Sequence, residues 1–76
     1  MDFTKFDFEI KRHAFIRATE RGVTPDIIEA TLKGGWVVRH GKNNYKFCKE
    51  YEEFTVICVD RVEGEKIIIA TIEVRK

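Results

Sequence analysis

The sequence predicts an α+β domain: two N-terminal helices packed on one face of a four-stranded antiparallel β-meander, with residues 3 to 10 available as a short N-terminal strand. Three observations predict it. Before Gly34 the apolar residues recur at helical spacing, and from Trp36 onward they recur every second residue. Between the two regimes stands Gly34-Gly35, which frees the backbone to change direction. Seventy-six residues allow one thin core and a single domain, residues 1–76. Hydrophobic residues at 43% and charged residues at 36% suit a folded globular chain.

The elements follow in order. Phe3-Thr4-Lys5-Phe6-Asp7-Phe8-Glu9-Ile10 alternates apolar and charged residues from Phe6 onward, which fits an edge strand or an extended arm with Phe6, Phe8 and Ile10 pointing one way. A helix is expected from Lys11 to Arg21, its apolar face made by Ala14, Phe15 and Ala18. Gly22 supplies a left-handed C-cap. Thr24-Pro25-Asp26 restarts a helix, with Thr24 as N-cap, Pro25 at the first helical position and Asp26 on the positive end of the dipole. That helix should run from Pro25 to Lys33 and bury Ile27, Ile28 and Leu32. Turn signals at residues 41–44, 51–53 and 63–64 then divide the rest into strands Trp36–His40, Tyr45–Glu50, Phe54–Val62 and Glu65–Arg75.

Simple hairpins would put Trp36, Val38, Tyr45, Phe47, Ile57, Val59, Ile68, Ala70, Ile72 and Val74 on one apolar face, under the helices. The other face would carry Arg39, Lys46, Cys48, Phe54, Val56, Cys58, Ile67, Ile69 and Thr71. Nothing else in the chain is left to cover it. Such a face suits a protein partner, a second copy of the chain or a substrate groove.

Composition excludes several chemistries. The chain has no serine, so serine nucleophiles are out. Cys48 and Cys58 stand alone mid-strand, without the spacing of a disulfide framework or zinc knuckle and without an adjacent base, and are expected reduced and packed. His13 and His40 lack neighbouring ligands at metal spacing, and no phosphate-binding Gly-rich loop opens a helix. The acidic pairs Glu52-Glu53 and Glu63/Glu65 lie at turns as solvated charges. No cofactor and no metal is implied. No apolar run approaches the ~18 residues of a membrane span, and Met1-Asp2-Phe3-Thr4-Lys5 lacks the order of a signal peptide, so a cytoplasmic location is expected. Fourteen Lys and Arg against thirteen Asp and Glu leave a net charge of +1, so any anion site must be local.

One stretch offers such a site. At about 100° per residue, His13, Arg17 and Arg21 fall within about 80° of one another on the first helix. Two guanidinium forks suit a phosphate or carboxylate, and an imidazole beside them can move a proton near neutral pH. A solvated basic face with a locally bonded His13 fits the same spacing. What remains open to such residues is phosphodiester chemistry on RNA, where the 2′-hydroxyl is the nucleophile and the protein positions the strand, stabilises the phosphorane and transfers protons. Arg39, Tyr45 and Lys46 are candidates for further RNA contacts. The structural alternatives are Arg17 and Arg21 paired with Glu20 or with sheet carboxylates, Tyr45 as a core residue and Lys46 as an edge-strand charge that blocks aggregation.

The run His13-Ala14-x-x-Arg17-x-x-x-Arg21-Gly22-Val23, with Thr24-Pro25-Asp26-Ile27-Ile28 and the closing Ile68-Ile69-Ala70-Thr71-Ile72, resembles a family of small bacterial and archaeal proteins defined by a His-Ala-x-x-Arg helix. The likeness spans most of the chain, although Ala18 stands where a methionine is common. That family in turn resembles the RelE-like toxin nucleases. The resemblance implies a metal-independent ribonuclease, the toxin of a toxin–antitoxin pair, with His13, Arg17, Arg21 and Thr71 at the matching positions and RNA and an antitoxin protein as partners. The competing expectation is a non-catalytic interaction module that binds a partner through the exposed sheet face.

Overall fold

The structure is a computed structural model and describes residues 7–76. It is an α+β fold of two helices and a five-stranded mixed sheet. The elements are β1 (Asp7–Ile10), α1 (Arg12–Glu20), α2 (Pro25–Gly34), β2 (Trp36–Arg39), β3 (Asn44–Glu50), β4 (Thr55–Glu63) and β5 (Lys66–Arg75). The sheet order is β1-β5-β4-β3-β2.

The helices end where local chemistry ends them. After α1 the Val23 amide donates to the Ala18 carbonyl and the Gly22 amide to the Thr19 carbonyl, with Gly22 at φ +83°. This is a Schellman cap, and Ala18 and Val23 bury its hydrophobic contact. Thr24 Oγ1 accepts from the Ile27 amide, so α2 starts at Pro25 as its sequence dictates. The buried Thr31 hydroxyl donates to the Ile27 carbonyl, which the Tyr51 hydroxyl also reaches at 3.0 Å. The loop between β3 and β4 is thereby tied to α2. At the far end of α2, a Cβ on Gly35 would run into the Cys48 carbonyl oxygen, so the helix meets β3 through a residue without a side chain.

The expected four-stranded antiparallel sheet is corrected by β1, which pairs parallel to β5 with Phe8 facing Ile67 and Ile10 facing Ile69. Phe8 and Ile10 need the core, and the last strand offers them its outer edge. Phe8 meets Phe47 edge to face at 6.0 Å. Phe6, expected alongside them, lies outside the described residues.

The register corrects the expected faces as well. Glu50 faces Thr55 across a four-residue loop, which places Phe47 opposite Cys58 rather than Ile57 or Val59. Trp36 likewise pairs with Cys48. Between Val59 and Asp60 the register with β5 shifts by one: Val59 faces Thr71 and Asp60 faces Ile69, leaving Ala70 as the extra residue of a β-bulge. Because side chains alternate, each slip of one exchanges faces. Val56, Cys58, Ile67 and Ile69, expected on the open face, therefore join Phe47 and Ile72 in the core with Ala14, Ala18, Val23 and Ile28. Phe54 packs against that core, as do Tyr45 and Val74. Trp36, Val38, Ile57, Val59 and Ile68, expected beneath the helices, fall on the opposite face with Lys46, Cys48 and Thr71. Phe47, Ile28, Ile67 and Ile69 are essentially fully buried, each contributing about 1.5–3 kcal/mol. Phe15, expected on the buried side of the first helix, is 38% exposed.

Asp60, beside the bulge, is 2% exposed, and neither carboxylate oxygen makes a well-formed hydrogen bond among the described residues. Burial pushes its pKa up from 3.8 to about 7, the Tyr45 backbone amide pulling weakly the other way. A folded pKa above the unfolded one means that the folded state holds the proton more tightly, so this group costs nothing below pH ~4 and destabilises progressively up to pH ~7. Asp60→Asn should remove that slope. Urea melts at pH 4 and pH 8 should show the variant stabilised over wild type at pH 8, on the order of 2–4 kcal/mol, with the gain vanishing toward pH 4.

Candidate anion-binding groove

The bulge decides what stands at the outer edge of β5. In a regular strand successive carbonyls alternate sides, yet here Ile69 and Ala70 both present theirs to the β1–α1 side. The Lys11 amide donates to the Ile69 carbonyl at 3.0 Å, and His13 Nε2 lies 3.0 Å from the Ala70 carbonyl oxygen. A carbonyl only accepts, so Nε2 carries the hydrogen of that bond. In neutral His13 the nitrogen left for proton transfer is Nδ1.

Pairing between β1 and β5 ends at Ile10 and Ile69, and α1 takes over along the remainder of β5. Ala14 and Ala18 turn inward and are buried, small enough to let the helix sit close. His13, Arg17 and Arg21 stay exposed on the neighbouring stripe. Facing them are Ala70, Thr71, Ile72 and Glu73, and the two sets enclose a groove of about 350 Å³. Three residues singled out on the helix and Thr71 of the last strand are therefore brought together. No ion pair or side-chain hydrogen bond engages Arg17 or Arg21 among the described residues. Their charges are available to an incoming anion, beside a hydroxyl and an imidazole.

The other candidates do not line the groove. Arg39 donates from Nε to the Gly41 carbonyl and from Nη2 to the Lys42 carbonyl, so its guanidinium closes the β2–β3 turn. Tyr45 is half-buried against the core, and Lys46, its neighbour in β3, points to the opposite face. Glu73 was missed by sequence reasoning. Its signal was strand alternation, which puts it two residues beyond Thr71 on the same side.

Both cysteines are free and buried. Burial pushes the Cys58 thiol up to about 12, with Asp60 and Cys48 adding to it, and raises Cys48 in the same way, so neither supplies a thiolate nucleophile near neutral pH. Among the described residues no three His, Cys, Asp or Glu side chains converge as a metal site would need. The chemistry on offer is anion binding by guanidinium, hydrogen bonding by Thr71 and proton transfer by His13. Nitrogen-15 NMR should find neutral His13 as the Nε2–H tautomer, and an Nδ1–H majority would remove the bond to Ala70.

No family model, curated protein or solved structure matches the chain.

Proposed function

We propose that the groove binds an RNA phosphodiester and that the protein is a metal-independent, RelE-like ribonuclease, the toxin component of a toxin–antitoxin pair. The observation that carries this reading is the pair of unengaged guanidinium groups beside a histidine whose tautomer a main-chain carbonyl selects. Arg17 and Arg21 hold the non-bridging oxygens of the phosphate and gain strength as charge grows on the phosphorane. His13 Nδ1 accepts the proton of the 2′-hydroxyl. The 2′-oxygen–phosphorus bond forms and the bond to the 5′-oxygen breaks. The leaving oxygen takes a proton from water, giving a 2′,3′-cyclic phosphate and a 5′-hydroxyl end. Thr71 donates a hydrogen bond to the phosphate. Cytoplasmic action on RNA belongs to this reading, with an antitoxin protein as the controlling partner.

A second reading rests on a different observation. Trp36 and Val38 stay 49% and 44% exposed on the helix-free face of the sheet, which suits an interaction module that needs no catalysis.

Induced expression in a bacterial host separates the two. Wild type should arrest growth and fragment RNA, and the purified protein should cleave RNA equally well with a metal chelator present. His13→Ala should lose about 10²-fold or more in cleavage, and Arg17→Gln with Arg21→Gln should lose RNA binding as well, with folding verified by circular dichroism. Intact RNA and normal growth with a folded wild type would remove the nuclease reading.

A further inference from the structure

We propose that the outer edge of β2 is a homodimer interface, in which two copies pair β2 antiparallel about a two-fold axis at Val38 and join their sheets into one of ten strands. This inference is independent of the nuclease reading.

Among the described residues nothing pairs with the outer edge of β2. The strand is exposed along its whole length, with Trp36, Val37 and Val38 at 49%, 40% and 44%. Soluble proteins usually blunt such an edge with proline, a bulge, an inward charge or a covering loop. Apart from the strand's shortness, four residues, none of these devices is present among the described residues. The β2–β3 register runs without a shift from Trp36–Cys48 to Arg39–Tyr45, and the one charge in the strand, Arg39, is drawn back into its own turn through Gly41 and Lys42.

The occupant follows from the phase of the free hydrogen-bonding groups. The His40 amide donates to the Asn44 carbonyl, in register with the β2–β3 ladder. Antiparallel ladders alternate bonded and non-bonded pairs, so residues 36, 38 and 40 bond to β3, while Val37 and Arg39 point their N–H and C=O groups outward. A two-fold at Val38 sets Val37 opposite Arg39 of the other copy, and both again by symmetry. All four amides and all four carbonyls of these residues are then used in four hydrogen bonds. Val38 meets its own copy in a non-bonded pair, and Trp36 faces His40 of the other copy. No like charges meet on the axis. With the axis perpendicular to the sheet, the helix-free faces stay on one side, so the strip formed by Trp36, Val38, Ile57 and Val59 continues into its symmetry mate.

Sedimentation of the full chain from micromolar to near-millimolar concentration tests this. Wild type should show a reversible monomer–dimer equilibrium. Val37→Pro removes an amide that its own sheet does not use, and proline is tolerated at such an edge position. It should weaken the dimer at least about tenfold while leaving the circular dichroism spectrum unchanged. Val38→Lys, which sets two ammonium groups against each other on the axis, should do the same and keeps the test alive if the proline variant unfolds. Val38→Cys should cross-link to a disulfide dimer, its two thiols giving two electrons to added copper phenanthroline, because Cα atoms in a non-bonded pair lie about 4.5 Å apart. Wild type, with both cysteines buried, should not cross-link. A wild type that stays monomeric throughout, a dimer indifferent to Val37→Pro and Val38→Lys, or a Val38→Cys dimer that fails to cross-link would each overturn the proposal.

Discussion

The structure depends on one irregularity, the bulge that leaves Ala70 unpaired between Val59–Thr71 and Asp60–Ile69. It turns two consecutive carbonyls toward the same edge, and both are taken by the junction of β1 and α1, one by the Lys11 amide and one by the His13 ring. Two bonds on adjacent carbonyls fix both the start and the direction of α1. The helix is thus aimed along β5, and Ala14 and Ala18 complete the packing. Beside this irregularity sits Asp60, in the core without a well-formed hydrogen bond among the described residues. A buried carboxylate so placed is a standing cost in stability at neutral pH.

The same device explains why the groove lies where it does. Once β1 stops opposite Ile69, the remaining edge of β5 would present unpaired backbone. Covering it with a helix solves the edge problem, but a helix lies farther from a strand than another strand would. The gap left between them is the groove, and its walls are the two elements that the bulge brings together. His13, Arg17 and Arg21, at four-residue steps on α1, and residues 70–73 of β5 line it.

Much of this was legible in the sequence, for reasons particular to each element. The caps at Gly22 and Thr24 close through hydrogen bonds spanning at most five positions, and Pro25 acts through its own fixed φ, so the helix limits came out within one residue. The strands were legible for the same reason, since period two is a local property. Which face each strand buries was not, because that depends on the parity of three connections. Loop length decides two of them, and an alanine within Ile67-Ile68-Ile69-Ala70-Thr71-Ile72 decides the third, in a run where no residue type marks a bulge. Half the groove was visible as the stripe of His13, Arg17 and Arg21. Thr71 came only from a resemblance and Glu73 was missed although alternation puts it on the same side as Thr71, since strand residues join a helix stripe only after the sheet register is known.

The two edges of the sheet have been treated differently, and the difference bears on function. At the β5 edge the chain invests a bulge, a helix with two buried alanines and a pinned histidine, and leaves three exposed basic side chains as the outer wall. With a net charge of only +1, the molecule has no general attraction for polyanions, so these side chains act at short range, within about 10 Å at ordinary ionic strength. At the β2 edge nothing comparable is present among the described residues, and Trp36, Val37 and Val38 stay 40–49% exposed. One edge is closed by the chain itself and lined by His13, Arg17 and Arg21; the other retains unpaired backbone groups and exposed apolar side chains.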